Sequence, residues 1–408
     1  MLNKIWLSFF IIAFVSALAT WIGGDGLVFE RLVQAVFSMA KVSVEIALGL
    51  IGALCFWLGV MKIAERGGMV DVLAKGLSPL FTRLMPGVPK GHPAFGSITM
   101  NLSANLLGLD NAATPMGIKA MHDLQSLNKT PDTATNAQIL FLVLNTSSVT
   151  LFPIAVFVYR AQQGAASPTD VFIPILLATF ASTFVGLLVT CAIQRIKLFN
   201  TVVLLYLGGL VAIVMALILY FMNLTTELMQ THSAIFSNFL IFAFIIVCLC
   251  WASIKKIDVY DSFITGAKQG FELSVSLIPY LLAMLCAIGV FRASGALDYV
   301  LDWLRTLVIT LGGDTQFVDA MPTAFMKPLS GSGARAMMLE TMNTHGADSF
   351  AGRLASTIQG STETTFYVLA VYFGAVGIKH TRHAVGCGLA ADFAGILTAI
   401  GVCYWFFG

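Results

Sequence analysis

Two segments of this 408-residue chain, one in each half, place polar and helix-breaking residues where the surrounding sequence is apolar. Residues 101–117 (NLSANLLGLDNAATPMG) combine Asn, Asp, Thr and Pro, and residues 327–337 (KPLSGSGARAM) combine Lys, Pro, Ser and Gly. At the depth of a bilayer, backbone outside a helix is tolerated only where protein covers it or where it lines a water-filled cavity. In a membrane protein these two segments therefore predict a substrate site.

The first segment offers amide and carboxylate groups at helical spacing. Asn101 and Asn105 are four residues apart and share a helix face, so their carboxamides can converge on one ligand. Asp110 and Asn111 suit a break in the helix, and Thr114 precedes a proline that can restart it. An ordinary surface loop uses the same residue types, and the sequence leaves that alternative open.

The second segment offers hydroxyl groups. Ser330 and Ser332 follow a proline and alternate with glycines, so their hydroxyls and the freed backbone amides are available to a ligand. Two further polar clusters interrupt apolar runs of spanning length and add candidate binding residues: Asn145, Ser147 and Ser148 in one, and Gln359, Ser361, Thr362 and Glu363 in the other. Ser and Thr can bond to their own helix, so their hydroxyls alone indicate little.

Three carboxylates are candidates for coupling an ion to transport. Glu363 lies inside an apolar run, where an ionised carboxylate costs several kcal/mol unless it is paired or hydrated. Asp392 lies eight residues into the last apolar run, and Asp110 belongs to the first polar segment. A purely structural salt bridge, for example between Glu363 and Arg335, is the alternative.

Composition sets the class of protein. Hydrophobic residues make up 58% of the chain and charged residues 11%, with a mean hydropathy of +0.86. Soluble domains carry about 25% charged residues, so the composition indicates a polytopic membrane protein whose main surroundings are the lipid bilayer. The net charge of +2 is too small to indicate a nucleic-acid partner.

Motifs for catalysis and metal binding are missing from the sequence. The seven cysteines form no CxxC pair and have no neighbouring histidine, so they are expected to be buried hydrophobic residues, and no metal site is expected. Ser332 stands between two glycines, but position 330 is Ser where GxSxG requires Gly, and neither HExxH nor GxxxxGK[ST] occurs. We therefore expect no enzyme, no cofactor and no ATP-driven step.

Apolar runs of spanning length predict nine membrane helices. Two amphipathic stretches, 70–85 and 296–311, are expected to lie along the interface. The nine runs are 5–22, 42–63, 136–159, 171–193, 200–222, 234–253, 272–292, 354–376 and 384–406. The first run ends in Ala17-Leu18-Ala19, a pattern also found in signal peptides, but an internal repeat favours a retained helix.

The repeat relates the two halves of the chain. A shift of 227 pairs Gly68 with Gly295 and Asp71 with Asp298, and a shift of 215 pairs 150–157 with 365–372; chance similarity between apolar helices is the alternative. An odd number of crossings separates the counterparts. The predicted fold is therefore an all-α polytopic membrane protein with two inverted-topology repeats, each carrying a re-entrant broken-helix hairpin.

Lys and Arg concentrate on the side that holds the N-terminus. This bias predicts that the N-terminus is cytoplasmic and that the C-terminus is outside.

These motifs also carry a family resemblance. Residues 1–197, with NLSANLLGLDNAATPMGIKAM and LNTSSVTLFP, resemble the spore maturation protein A family. Residues 198–408, with KPLSGSGARAMMLE and QGSTETTFYVLAVYFG, resemble spore maturation protein B, and 198–230 would be a connector helix. The chain resembles a natural fusion of the two, and the resemblance implies a nucleoside recognition, or gate, domain in each half and a location in the bacterial inner membrane.

The combined interpretation is a secondary transporter of a small polar or anionic solute, nucleoside-like in character, coupled to sodium or protons. A non-transporting membrane scaffold for envelope or spore maturation machinery is one alternative, and a channel is another. Gate-type transporters are often oligomers, so the resemblance allows a homo-oligomer. The substrate and the coupling ion are left open by the sequence.

Overall fold

The computed structural model describes residues 2–107, 110–147 and 150–408, without the side chains of residues 2, 3, 110–112 and 226. Regular secondary structure in these ranges is helical, apart from one isolated bridge between Thr133 and His380. This confirms the all-α class. The helices are α1 Leu2–Ile22, α2 Val28–Arg66, α3 Met69–Leu84, α4 Pro93–Leu106, α5 Asp110–Gln125, α6 Asn136–Ser147, α7 Ile154–Gln162, α8 Phe172–Gln194, α9 Thr201–Met222, α10 Thr226–Ile254, α11 Val259–Ala293, α12 Ala296–Thr310, α13 Met321–Met326, α14 Gly331–His345, α15 Phe350–Ser361, α16 Thr365–Ala375 and α17 Ala384–Phe407, with a 3₁₀ turn at Gln316–Ala320.

Seven helices in the described part of the chain are long and apolar enough to cross a membrane: α1, α2, α8, α9, α10, α11 and α17. They correspond to seven of the nine predicted runs and confirm a multi-pass membrane protein. Large apolar side chains on α1 and α9, such as Phe14 and Leu205, are exposed, as lipid-facing helices require.

The other two apolar runs, 136–159 and 354–376, do not form continuous helices, which corrects the expectation of nine. Each is a pair of shorter helices, α6 with α7 and α15 with α16. Pro153 precedes α7 and has no amide hydrogen to donate within a continuous helix. In the second run, hydroxyl groups from Ser361 to Thr365 can compete with helical hydrogen bonds. The polar clusters of the sequence therefore mark two helix breaks.

Both polar segments of the sequence also interrupt helices. α4 ends at Leu106 and α5 begins at Asp110, while α13 ends at Met326 and α14 begins at Gly331. The two amphipathic stretches form α3 and α12. Their placement along a membrane surface stays a prediction.

The elements follow the same order in both halves. From α1 to α8, and again from α10 to α17, the order is two long helices, an amphipathic helix, an interrupted hairpin, a broken helix and a spanning helix, with α9 between the halves. Gly68 and Gly295 precede the two amphipathic helices with φ values of 73° and 77°, a conformation that suits glycine. An internal repeat predicts this shared order, whereas the inverted orientation of the halves stays a prediction.

The described chain forms two compact units, and each draws on both halves of the sequence. Unit 1 comprises residues 1–59, 155–168 and 264–359, and unit 2 comprises residues 60–154, 169–263 and 360–408. The sequence-based boundary between 1–197 and 198–408 divides the chain differently and stays a prediction.

Unit 1 is tied together by side chains that bond to neighbouring helices. The indole of Trp6 donates to the carbonyl of Ala283 at 2.9 Å, and the hydroxyl of Ser16 donates to the carbonyl of Ser294 at 2.8 Å. These bonds fasten α1 to α11 and to the residue that directly follows it.

Unit 2 has an apolar core between α3, α4, α5, α6, α8, α16 and α17. Within it α8 and α17 lie antiparallel. Gln194 at the end of α8 contacts His383 at the start of α17 (Nε2 to Nε2, 3.0 Å), and further along Gly186 packs against Ala391. Small residues let the two helix backbones approach closely.

Candidate functional site

The two helix breaks meet in unit 2 through their backbones. The amide of Glu363, in the break between α15 and α16, donates to the carbonyl of Thr146 at the end of α6 at 2.7 Å. The hydroxyl of Thr183 on α8 donates to the next carbonyl, that of Ser147, at 2.7 Å. Carbonyls in the last turn of a helix lack intrahelical donors. The second break and α8 therefore supply donors that α6 itself cannot.

The tip of the first hairpin attaches to the same place. The carboxamide of Asn105 donates to Oδ1 of Asn145 on α6 at 2.9 Å, and the amide of Leu151 donates to the carbonyl of Leu106 at 3.0 Å. The hairpin thus contacts the polar cluster of α6 through Asn105.

Asn101 takes a different partner from Asn105. Its Nδ2 donates to the carbonyl of Ala113 on α5 at 2.8 Å and lies 3.4 Å from the hydroxyl of Tyr372, which itself donates to Asn145 at 3.3 Å. Asn101 is fully buried. It therefore fastens the two arms of the hairpin, and only Asn105 reaches the α6 cluster.

A buried carboxylate lies beside the breaks. Asp392 on α17 is 1% exposed, and its Oδ2 accepts a hydrogen bond of 2.6 Å from the hydroxyl of Thr365, the first residue of α16. Gly388 lies one turn before Asp392, and Gly395 lies one turn after it. The three residues therefore share one face of α17. This face packs against both broken helices.

Three side chains that carry hydroxyl groups pack against that face. A methyl group at Gly395 would come within 2.8 Å of Cγ2 of Thr362 and 3.1 Å of Cβ of Ser182, and one at Gly388 would lie 3.6 Å from Cγ2 of Thr146. Within the described residues, the hydroxyl oxygens of Thr362, Ser182 and Thr146 are buried without a hydrogen-bond partner. Buried polar atoms normally have one, so these oxygens suit a bound ion or water.

Helix lengths give the depth of this cluster. Ser182 precedes the end of α8 at Gln194 by roughly 18 Å of helix, and Thr146 follows the start of α6 at Asn136 by roughly 15 Å. Half of the hydrocarbon thickness of a bilayer is about 15 Å. The cluster therefore lies close to the middle of the spanning helices.

Glu363 has an exposed side chain, although its neighbours Thr362 and Thr364 are buried. Among the described residues no salt bridge involves it, and Arg335 instead lies over the ring of Tyr159, 5.4 Å from the ring centre. A carboxylate at this depth needs water, an ion or a ligand. Glu363 is thus accessible while its amide holds α6.

The remaining candidate binding residues lie in or beside the same helices, and the structure describes only some of them. Ser361 is fully buried at the end of α15, and Thr114 is half-buried on α5. Ser148 lies outside the described residues. Asp110 and Asn111 begin α5, but their side chains are not described.

The second hairpin belongs to unit 1. Ser330 caps α14 by accepting a hydrogen bond from the amide of Gly333 at 3.1 Å, and its hydroxyl lies 3.3 Å from that of Ser332. Lys327, 2% exposed, donates to the carbonyl of Gln359 at 2.7 Å. The side-chain oxygen of Gln359 is buried without a partner in the described part of the chain.

Sequence reasoning missed several residues of these sites. Ser182 and Thr183 stand in an unbroken apolar helix, where hydroxyls usually bond to their own backbone, so nothing distinguished them. Lys327 could have been found, because it is a cation directly before the helix-breaking Pro328. Tyr372 gave no signal, since aromatic residues are common in apolar helices.

The donor set suits an oxygen-binding cation or a proton. No group of three or more His, Cys, Asp or Glu side chains in the described ranges could hold a metal ion. One carboxylate with neutral hydroxyls, beside helix-end carbonyls, resembles the sites where secondary transporters bind Na⁺.

Comparison with known proteins agrees with this architecture. The nucleoside recognition family, Gate, matches residues 47–162 and 274–379. The chain is 47% identical over 160 residues to spore maturation protein B of Bacillus subtilis (strain 168), covering 39% of the chain and 88% of that protein. It is 41% identical over 182 residues to spore maturation protein A of the same organism, covering 45% of the chain and 90% of that protein. The resemblance to a fusion of the two is confirmed.

Proposed function

Because the chain belongs to the nucleoside recognition (Gate) family, we propose that it is a secondary transporter of a small polar or anionic solute, coupled to sodium or protons. The family description favours a nucleoside-like solute. The proposal includes a bacterial inner-membrane location and no catalytic activity or cofactor.

The observation that carries the proposal is the meeting of two helix breaks near half the depth of the spanning helices. The hydrogen bond from the Glu363 amide to the Thr146 carbonyl joins them. Secondary transporters bind substrates and ions at such breaks, because unwound backbone and half-helix ends supply donors and acceptors. A scaffold would gain nothing from polar, interrupted helices at this depth, since they lower stability.

The antiparallel pair α8 and α17 supports the inverted-repeat part of the proposal. These helices are counterparts in the repeat, and they run in opposite directions. Counterparts of a parallel repeat would run the same way through the membrane.

Within this proposal the two carboxylates have separate roles. Asp392 is buried, accepts a hydrogen bond from the hydroxyl of Thr365, and would hold the coupling cation or proton, which neutralises it in the interior. Glu363 is exposed beside the break and would face the solute or its accompanying ion.

Reconstituted uptake tests the proposal. Purified protein in proteoliposomes is supplied with a defined mixture of nucleosides and small organic anions under a sodium gradient, a proton gradient or neither, and the internal solutes are measured by mass spectrometry. We expect gradient-dependent accumulation of a subset of solutes. Glu363→Gln and Asp392→Asn should each abolish it, whereas Glu227→Gln, which changes an exposed acid at the start of α10, should not.

Other outcomes would point to the alternatives. Equilibration that never exceeds the external concentration under any gradient would indicate a channel. Absence of gradient-driven flux for every class of solute, with folded protein, would contradict transport and favour a scaffold, a role that the spore maturation names of the relatives also permit.

Orientation has its own test. Ala165→Cys, between α7 and α8, and Lys379→Cys, between α16 and α17, occupy corresponding loops of the two repeats. In a background without the seven native cysteines, labelling of intact cells with an impermeant maleimide should modify Ala165→Cys alone. Reaction of both positions from one side would reject the inverted repeat.

A further inference from the structure

A basic pocket opens at the ends of the spanning helices in unit 2. It has a volume of about 670 Å³ and lies between the segment after α3, the start of α6 and the link from α8 to α9. Four cationic side chains line it: Arg83, Lys90, Arg195 and Lys197. The polar groups of Asn136, Gln194 and Asn200 join them, and the lining that the structure describes contains no acidic residue.

The four cations have no acidic partners among the described residues. In the described ranges none of them takes part in a salt bridge. Four like charges around one cavity repel each other, which costs free energy unless an anion occupies it. The arrangement therefore favours a ligand with concentrated negative charge.

Gln194 adds a second feature to the pocket. Its Nε2 donates to the carbonyl of Asn136 at 3.0 Å and contacts His383, but its Oε1 is buried without a hydrogen-bond partner in the described residues. The carboxamide of Gln194 thus holds the end of α8 against the start of α6 and fixes this wall of the pocket.

The pocket lies at the level of a membrane surface. Gln194 ends α8 and Asn200 caps the start of α9, and both helices are candidate spans. The side chain of Phe199, between them, is 94% exposed, as expected of an aromatic group that enters the lipid interface. Basic pockets between the ends of spanning helices recognise anionic headgroups.

We propose that this pocket binds a phosphate-bearing anion, supplied either by the headgroup of an anionic phospholipid or by a soluble phosphate compound. The site is separate from the helix breaks, since Asn136 lies roughly 15 Å along α6 from Thr146. It does not depend on transport, so the proposed function can fail while this site stands.

The test uses two double variants: Arg83→Gln with Lys197→Gln, and Lys90→Gln with Arg195→Gln. Each variant removes two cations, one from the segment around the end of α3 and one from the link between α8 and α9. The matched control, Lys129→Gln with Lys379→Gln, removes the same charge from exposed lysines outside the lining. All six side chains are exposed, so the variants should fold, and gel filtration checks this.

Two arms distinguish the sources. In the first, protein purified from mixed phosphatidylglycerol and phosphatidylcholine bilayers is analysed for retained lipid by native mass spectrometry. In the second, inorganic phosphate or pyrophosphate is titrated at constant ionic strength while thermal unfolding in neutral detergent is followed. Removing two phosphate-facing cations should weaken binding roughly 10- to 30-fold.

Selective retention of phosphatidylglycerol by wild type and control, lost in both pocket variants, would support a lipid headgroup. Stabilisation by soluble phosphate with the same dependence would support a soluble ligand. Equal binding by pocket variants and control in both arms, or no binding of either probe by wild type, would overturn the proposal.

Discussion

Replacing Gly395 with alanine tests the packing of α17 on the second helix break. The added methyl group would lie 2.8 Å from Cγ2 of Thr362 and 3.1 Å from Cβ of Ser182. Ordinary carbon contacts are about 3.5–4.0 Å, so these groups must separate by nearly 1 Å. Overpacking of this kind typically costs about 1–3 kcal/mol.

Gly401→Ala is the matched control on the same helix, because nothing lies within 4 Å of its added methyl group. Both substitutions gain about 1 kcal/mol of helix propensity, so this gain cancels when the two variants are compared. The remaining difference of about 1–3 kcal/mol is the packing cost, which corresponds to about 5- to 150-fold in the unfolding equilibrium constant.

The assay is reversible unfolding in mixed micelles titrated with sodium dodecyl sulfate, followed by circular dichroism. A second readout is the dependence of the unfolding midpoint on sodium concentration at constant ionic strength. If Thr362 and Ser182 hold a cation, Gly395→Ala should weaken this dependence and Gly401→Ala should not. Stabilities of the two variants within about 0.5 kcal/mol would refute the described packing.

Three further expectations use the same unfolding assay. Thr365→Val removes the hydrogen bond to the buried carboxylate of Asp392 and should lower the free energy of unfolding by about 1.5–3 kcal/mol. An unchanged free energy of unfolding would mean that this carboxylate does not depend on Thr365. Gly117→Ala puts a methyl group 2.3 Å from the hydroxyl of Tyr372 and should destabilise, while Gly96→Ala, with open space around it, should not; equal effects would contradict this contact. Burial and the neighbouring arginine lower the pKa of His383 at the start of α17. Protonation is therefore easier in the unfolded chain, so stability should fall as the pH drops below about 6.5, and His383→Gln should lessen this loss; identical pH profiles would contradict it.

The sequence predicted the break-forming segments because their signal is local. In the segment 327–337, Pro328 and the glycines that follow it disturb a helix whatever surrounds them. The element order of the repeat was visible for a similar reason, since Gly68 and Gly295 serve the same turn. The continuity of two apolar runs was misjudged, because hydropathy measures the length of a run and not whether its backbone stays helical.

The partners within the site could not be predicted. Ser182 and Thr183 became site residues through the antiparallel packing of α8 on α17, which brings together residues far apart in sequence. In the same way, Asn101 and Asn105 share a helix face, yet tertiary contacts gave them separate partners. Spacing along one helix limits which side chains can cooperate, but the neighbouring helices decide which do.

The two helix breaks and the side chains around them form a polar centre whose residues come from both halves of the chain. Thr146, Ser182 and Thr183 precede the connector helix α9, whereas Glu363 and Asp392 follow it. Neither portion of the chain can complete the centre alone, because each supplies hydrogen-bonding groups that the other satisfies. Two fragments separated at α9 would have to associate before a complete centre existed. Covalent fusion makes that association intramolecular, which keeps the two parts in equal number and at high effective concentration.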